Sequence, residues 1–189
     1  MEKLTITTSR LTIRNLKLTD LNDFQRYRSN PEITKYQNFD VMSVEQANQF
    51  IRTQMNKEFG IPGEWLQLGI EYKATERIVG DCAIKLHEPD SRDAEIGISI
   101  SHLDQKKGFA KEAMIGILSF LFDFKDIHRV VEIVDEENIA SINLLKSIGF
   151  RQEGHFIENI FFKGKWGSEY QFAMLKSEWE KKKILIEQA

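Results

Sequence analysis

The order of the hydrophobic patterns constrains the fold of this chain more than any other feature. Residues 65–100 hold three segments of strand-like composition separated by short polar turns, a pattern that predicts an antiparallel meander. A polar loop follows, then a helical segment from Gly108 to Phe124 and the β-branched run from Arg129 to Val134. Strand, helix and strand in succession predict a crossover unit. The chain is therefore expected to build one mixed sheet.

The N-terminal region predicts one strand and two helices. Apolar and polar residues alternate from Thr5 to Lys17, as in a half-buried strand. Thr19 stands where a helix N-cap is expected, and Asn30-Pro31 is expected to end that helix. Ser43 and Gln46 have the spacing of a capping box at the start of a second helix.

The C-terminal region predicts a short helix, two strands and a basic helical tail. The helix spans Ile139 to Ile148 and is expected to stop at Gly149. The strands are expected near residues 154–163 and 169–175. No repeat or linker interrupts the pattern, so we expect one α/β domain over residues 1–189, with helices on both faces of a mixed sheet.

Composition and charge exclude several classes of function. The net charge of −3 is spread over interspersed acidic and basic residues, so a nucleic-acid partner is not expected. No apolar stretch approaches the roughly 18 residues of a membrane span, which predicts no membrane partner and a cytoplasmic location. The four histidines are far apart, and we expect no metal site. Cys82, the only cysteine, is expected to be a buried apolar residue of a strand rather than a reactive thiol.

One candidate binding segment lies where a loop feeds the long helix. The first turn of a helix carries unpaired backbone N–H groups and partial positive charge, which suit a phosphate. Gly108 and Ala110 leave room for a close approach, and Lys106 and Lys107 add charge. A loop glycine beside two solvated lysines explains the segment equally well. The glycine pattern differs from those of nucleotide P-loops and dinucleotide sites, so a different phosphate ligand is implied.

A second candidate segment begins just after the β-branched strand. By itself, the stretch from Asn138 to Phe150 is an amphipathic helix. Asn138 as an N-cap and Ser141 as an exposed first-turn residue need no further function.

The two segments together are more specific than either one. Gln105-x-x-Gly108-x-Ala110 opens a helix, and after one strand Asn138-x-x-Ser141-x-x-Leu144 leads to Gly149-Phe150. This combination resembles the GNAT superfamily of N-acetyltransferases, from the first strand to about Leu175. The resemblance implies a mostly antiparallel central sheet with one parallel, splayed strand pair.

Within that superfamily, the chain is most similar to the Rim-type branch, which includes ribosomal-protein N-terminal acetyltransferases. The segments that carry this similarity are Thr8 to Arg14, Ala94 to Gly97, Gly108 to Ala113, Phe150 to Gly154 and Lys163 to Trp166. The acidic residue expected two positions after Trp166 is Ser168 here, with Glu169 adjacent.

The resemblance implies acetyl-CoA as the cosubstrate. Backbone amides around Gly108 would bind the pyrophosphate of coenzyme A, while a strand edge and an asparagine would hold the pantetheine arm. The residues carried over for this binding are Ile98, Ser99, Ile100, Gln105, Lys106, Lys107, Gly108, Phe109, Ala110, Asn138 and Ser141.

The resemblance also implies that a neutral amine attacks the thioester directly. Many relatives place a tyrosine seven positions after the asparagine to protonate the leaving sulfur, but that position is Leu145 here. We therefore expect Ser141 to be the acid. Glu95 is the expected base, since strand alternation places it on one face with Gly97 and Ser99, although a salt-bridged glutamate is the common alternative.

The amine acceptor stays open at this point. A protein N-terminus, a polyamine, an aminoglycoside-like drug or a small metabolite would each fit, and a degenerate coenzyme A sensor is a non-enzyme alternative. Aromatic residues that are candidates for an acceptor pocket are Tyr36, Phe39, Trp65 and Trp166. A homodimer formed through the final strand and the basic helix from Ser177 to Lys183 is an alternative to a solvated tail.

Overall fold

Eight strands form a single sheet in the order β1-β2-β3-β4-β5-β6-β8-β7. The computed structural model describes residues 3–37 and 39–187, with side chains up to residue 183, so the ends of the predicted domain lie outside the described residues. The strands are β1 Thr5–Thr7, β2 Leu11–Asn15, β3 Trp65–Tyr72, β4 Arg77–Leu86, β5 Asp93–Ile100, β6 Arg129–Asp135, β7 Arg151–Phe162 and β8 Lys165–Leu175. The helices are α1 Leu21–Arg28, α2 Pro31–Thr34, α3 Val44–Gln54, α4 Phe109–Ser119, α5 Ile139–Ile148 and α6 Lys176–Glu187.

One parallel strand pair interrupts an otherwise antiparallel sheet. β5 and β6 are joined by the crossover through α4, and they pair only from Asp93↔Arg129 to Glu95↔Val131. Beyond that point each strand continues, β5 to Ile100 and β6 to Asp135, without further pairing between them. A gap therefore opens in the middle of the sheet, as the resemblance implied, and the predicted mixed fold is confirmed.

Two hydrophobic cores lie on the two faces of the sheet. The larger core contains residues of α4 and α5, together with Trp179 of α6 and inward residues of the meander such as Leu68. The smaller core joins α1 and α3, with Phe24 and Ile51 fully buried. Both helices of the smaller core precede the meander in the sequence, and both cover the same face.

The predicted first strand is wrong in one respect. Residues 5–17 form a hairpin, β1 and β2, because the chain reverses between Thr7 and Leu11. In this turn, the Thr8 hydroxyl accepts a hydrogen bond from the Leu11 backbone N–H at 3.1 Å. The alternation of apolar and polar residues continues through a tight hairpin, so this pattern alone does not reveal that the chain reverses.

The predicted boundaries of the first helices also need correction. Thr19 lies inside a 3-10 turn, Leu18–Asp20, that leads directly into α1, so it is not the N-cap. Asn30 does not simply end α1 but caps the additional short helix α2, because its side chain accepts a hydrogen bond from the Glu32 backbone N–H at 3.0 Å. The Ser43–Gln46 capping box of α3 is confirmed.

The helices and strands after the meander agree with the predictions more closely. α4 ends at Ser119 and continues as a π-helical turn through Phe124. α5 has the predicted bounds and ends at Gly149, whose φ of 102° is the left-handed conformation that glycine tolerates best. β7 begins at Arg151, three residues before the predicted start. The final strand, β8, lies between β6 and β7, so β7 is the edge of the sheet.

Candidate functional site

Two cavities meet at the gap between β5 and β6. The first, which we call the donor cleft, has a volume of about 440 Å³ and runs from the gap to the N-terminus of α4. The second, the acceptor cavity, has a volume of about 400 Å³ and lies on the other side. Both are lined by the same six residues, which are Tyr36, Gln37, Ile98, Ser99, Asn138 and Ser141. A bound molecule in one cavity can therefore contact a molecule in the other.

The N-terminus of α4 is built to receive an anion. Gly108 is its N-cap, with a φ of 81°, and no side chain among the described residues caps this end. The first-turn N–H groups thus keep their partial positive charge for a ligand. A Cβ at Gly108 would lie only 3.3 Å from Arg10 Nη2, so glycine also leaves room beside the arginine. This donor set fits the pyrophosphate of coenzyme A.

A salt bridge holds this helix end against the N-terminal hairpin. Arg10 Nε donates a hydrogen bond to Glu112 Oε2 at 2.6 Å, and the Thr8 hydroxyl donates to Glu112 Oε1 at 2.6 Å. These donors hold the pKa of Glu112 below its ordinary value, against the opposing effect of burial. The hairpin therefore positions the anion-binding end of α4.

All but one of the predicted cofactor-binding residues line the donor cleft. They are Ile98, Ser99, Ile100, Gln105, Lys106, Gly108, Phe109, Ala110, Asn138 and Ser141. Lys107 is the exception, since it is not among the residues that line the cleft, and its Nζ pairs with Asp104 Oδ1 at 2.7 Å. The sequence did not predict the contribution of Glu32, Ile33, Tyr36 and Gln37, which reach the cleft from α2 and the turn after it.

Asn138 and Ser141 stand at the junction of the two cavities. Asn138 Oδ1 accepts a hydrogen bond from the Ser141 backbone N–H at 3.2 Å, so the predicted N-cap role is confirmed. The side chain amide of Asn138 and the Ser141 hydroxyl remain for a ligand. Leu145, where many relatives carry the tyrosine, is fully buried in the larger core.

Glu95 lines the acceptor cavity, but a lysine and a histidine already lie against its carboxylate. Lys85 Nζ lies 2.6 Å from Glu95 Oε2, and His87 Nε2 lies 3.3 Å from the same oxygen. The salt-bridged alternative considered for this residue is therefore present. Its carboxylate lies in the cavity wall, as the predicted role requires, but it already pairs with Lys85.

Acidic side chains dominate the acceptor cavity. Five carboxylates line it, namely Asp81, Glu95, Glu132, Asp135 and Glu169, whereas Arg28 is the one basic residue among the described lining residues. Arg28 is buried and its guanidinium pairs with Asp81, which also accepts hydrogen bonds from Tyr27 Oη at 2.6 Å and from Gln67 Nε2. The charges of Arg28 and Asp81 thus cancel, and Lys85 offsets the charge of Glu95. Asp135 and Glu169 leave the cavity with a negative potential.

Glu132 is the functional candidate that the sequence reading missed. Its side chain is buried with 4% exposure, and its Oε2 has no hydrogen-bond partner among the described residues. Burial, aided by the nearby charge of Glu95, raises the pKa of Glu132 to about 8. The sequence holds a signal for this residue, because Glu132 is a charged residue in the middle of the β-branched run 129–134, which predicted only a strand.

The aromatic candidates divide between the cavity and the surface. Tyr36, Phe39 and Trp65 line the acceptor cavity, while Trp166 is exposed and packs against Phe161 at a ring-centroid distance of 5.4 Å. Cys82 is buried in β4, and burial raises the pKa of its thiol well above the ordinary value, as expected of a structural cysteine.

The parallel strand pair splays beside a helix N-terminus that no described side chain caps, and an acidic cavity lies opposite. This is the arrangement that the resemblance implies for an enzyme that transfers an acyl group from a coenzyme A thioester. The comparisons with known proteins agree. The model of the acetyltransferase (GNAT) domain matches residues 10–151. The chain belongs to the GNAT family and is an N-acetyltransferase.

Relatives and solved structures extend this match over nearly the whole chain. An uncharacterized N-acetyltransferase of Bacillus licheniformis is 33% identical over 176 residues, covering 93% of this chain and 98% of the relative. A spermidine N(1)-acetyltransferase of Vibrio cholerae is 26% identical over 179 residues, covering 90% of this chain and 96% of the relative. A GNAT-family acetyltransferase from Bacillus anthracis, known from its crystal structure, is 26% identical in sequence with a TM-score of 0.83. The match covers 93% of this chain and 100% of that one. In the described part of this chain, no helix has the length and apolar character needed to cross a membrane.

Proposed function

We propose that this enzyme transfers the acetyl group of acetyl-CoA to a primary amine of a polycationic acceptor. The observation that carries this proposal is the acceptor cavity, where carboxylates outnumber the single basic residue and the wall is shared with the donor cleft. A cationic amine gains favourable electrostatic energy on entering such a cavity, and at the junction it meets the thioester.

In the proposed complex, coenzyme A lies along the donor cleft. Its pyrophosphate contacts the N–H groups after Gly108, with Lys106 as an additional charge. The pantetheine arm runs through the gap, along the backbone of residues 98–100, and receives a hydrogen bond from the Asn138 amide. The acetyl group then lies near Ser141, which lines both cavities.

The reaction needs two proton transfers but no enzyme nucleophile. The amine nitrogen attacks the thioester carbonyl, and the carbon–sulfur bond breaks as the amide forms. We propose Ser141 as the donor to the leaving sulfur, since Leu145 offers no proton. The proton of the acceptor amine passes to a carboxylate of the acceptor cavity, for which the sequence predicts Glu95.

The acidic cavity favours a small polycationic amine over a protein N-terminus. A second ammonium group of a polyamine would find carboxylates such as Asp135 and Glu169 in the same cavity. The Vibrio cholerae relative is named for spermidine, which has this chemistry. The similarity to the Rim-type branch keeps an N-terminal amine as the alternative acceptor. One panel of amines, with a polyamine and a peptide in it, tests both acceptors.

Calorimetry with acetyl-CoA, followed by a thiol-release screen, tests the proposal. We expect micromolar binding by the wild-type protein, and its loss in Gly108→Val, because a side chain there blocks the approach to α4. We expect thiol release with spermidine and less with a seryl peptide. Ser141→Ala should bind acetyl-CoA normally but turn over more slowly. Failure of the folded wild-type protein to bind acetyl-CoA would overturn the proposal.

Location and assembly are also part of the proposal. We propose a cytoplasmic enzyme, in keeping with a buried, unpaired Cys82. The final strand and the basic helix are no longer the proposed dimer surface, because β8 is interior to the sheet and Trp179 of α6 packs into the chain's own core. The β7–β8 hairpin, with exposed Ile157, Phe161 and Trp166, is the surface that a second copy would cover. Light scattering after gel filtration measures the mass.

A further inference from the structure

Glu132 occupies the point where the central gap begins. The parallel pairing of β5 and β6 ends at Glu95↔Val131, and Glu132 is the next residue of β6. The register of β8 places Phe172 opposite Glu132, and Phe172 is fully buried. Glu132 thus lies where β5 and β6 begin to diverge, and it lines the acceptor cavity.

The environment of Glu132 differs from that of a structural glutamate. Buried carboxylates are ordinarily paired or hydrogen-bonded, as Asp81 is here with Arg28 and Tyr27. Glu132 is 4% exposed, yet its Oε2 has no partner within the described part of the chain. An ionised, unpaired carboxylate in this position costs stability, and a cationic partner that arrives through the cavity would offset that cost.

We propose that Glu132 accepts the proton that the acceptor's ammonium group loses before it attacks the thioester. This inference rests on the proposed function and names the group that performs its first chemical step. Glu95 is the competing candidate for this step, but its carboxylate already pairs with Lys85. The proposal gives Glu95 the role of a neighbouring negative charge that increases the proton affinity of Glu132.

The proton balance is complete with groups of the enzyme and its two substrates. The Glu132 carboxylate takes one proton from the ammonium group, which yields a carboxylic acid and a neutral amine. The amine lone pair forms the C–N bond, and the C–S electrons leave with sulfur. The second proton passes from nitrogen to sulfur through the Ser141 hydroxyl, giving the amide and the thiol of coenzyme A. Glu132 then returns its proton to solvent as the product leaves.

Several charged groups face this site and set its pH dependence. On β4 they are Lys85, His87 and Asp81, the last paired with Arg28 of α1, and on β5 the group is Glu95. Asp135 of β6 and Glu169 of β8 line the same cavity. Among these, the charge of Glu95 raises the pKa of Glu132, in the same direction as burial. Ionisation of Glu132 therefore occurs close to neutral pH, where a general base is most effective.

The test compares pH profiles of kcat/KM for Glu132→Gln, Glu95→Gln and the wild-type enzyme. The acceptors are spermidine and a peptide with an N-terminal serine, and the matched control is Glu180→Gln, an exposed carboxylate of α6. Glutamine keeps the shape of the side chain but does not ionise. At pH 7 we expect kcat/KM of Glu132→Gln to be about 100-fold below wild type, with acetyl-CoA affinity within twofold. The loss should shrink as the pH approaches the pKa of the free amine, about 10 for spermidine and about 8 for the N-terminal amine of the peptide, because solution then supplies neutral amine.

Each outcome decides between the competing assignments. The wild-type pH profile should have a limb, which is the range over which kcat/KM rises with pH. If this limb persists in Glu132→Gln but disappears in Glu95→Gln, the proposal is overturned in favour of Glu95. Full activity of Glu132→Gln at pH 7 overturns it as well. No turnover by the wild-type enzyme with either amine overturns the proposed function and the inference together. If Glu132→Gln does not fold, Glu132→Asp replaces it. Because aspartate keeps an ionisable group, it should retain the limb with a lower kcat, and loss of the limb in a folded Glu132→Asp would refute the assignment.

Discussion

Replacing Glu132 by glutamine should change how the stability of the protein depends on pH. The pKa of Glu132 is about 8 in the folded protein, against an ordinary value of 4.5. Between these values the folded state holds one proton more than the unfolded state, so the free energy of unfolding falls as the pH rises. The stabilising contribution is complete below about pH 4.5 and is lost progressively as the pH rises through 8.

The size of the effect follows from the same linkage. A one-proton difference costs about 1.4 kcal/mol per pH unit, which gives a loss of ~2.5 kcal/mol between pH 5.5 and 7.5 after allowance for partial titration at both ends. Glu132→Gln removes this loss, because the amide does not titrate. A constant cost of placing an amide in the core shifts the whole curve of the variant but leaves the slope unchanged.

Urea unfolding of both proteins at pH 5.5, 6.5 and 7.5 measures the difference in slope. We expect the wild-type protein to lose ~2.5 kcal/mol relative to Glu132→Gln over this range. Glu180→Gln, an exposed carboxylate on α6, should run parallel to the wild type. Parallel curves for Glu132→Gln and the wild type would refute the argument that burial without a partner perturbs this carboxyl group.

Three further predictions concern other parts of the fold. In Gly80→Ala, the new Cβ would lie 2.2 Å from the Ser99 carbonyl oxygen. Urea unfolding should therefore show a free energy of unfolding lower by about 2 kcal/mol, and calorimetry should show a weaker acetyl-CoA affinity. Gly97→Ala, with open space around the new Cβ, is the control for stability. Asp81→Asn leaves the buried Arg28 charge without its carboxylate partner and should cost about 3 kcal/mol in the same assay; an unchanged midpoint would contradict this reading of the pair. Cys82 should not react with a thiol reagent in the native protein and should titrate fully in urea, whereas rapid native labelling would show that β4 opens.

Much of the fold was predictable because the signals are local. The meander, the crossover helix and α5 each follow from periodicity, capping residues and a terminal glycine, all of which act within a few residues. The hairpin at Thr8 and the extra helix at Asn30 were missed. A strand pattern with a period of two continues through a tight turn, and a single Asn-Pro step is compatible with either a helix end or a helix start.

The donor side of the site was also predictable. Gly108 and Asn138 are the N-caps of α4 and α5, and Ala110 lies in the first turn of α4. Helix starts leave such recognisable residues in the sequence. Lys107 was assigned to the site by its neighbourhood, but a side chain one residue from a binding position can point to another partner, which is Asp104 here.

The sequence by itself therefore determined the order of the elements from the meander onward, the family resemblance and the glycine at the start of α4. Only the tertiary structure decided the acceptor side, because its carboxylates come from four strands that are far apart in the chain and converge at one gap. The burial of Glu132 is a property of that convergence. A lone glutamate in an apolar run becomes a buried carboxyl group here because the neighbouring strand diverges beside it, and its Oε2 then finds no hydrogen-bond partner among the described residues.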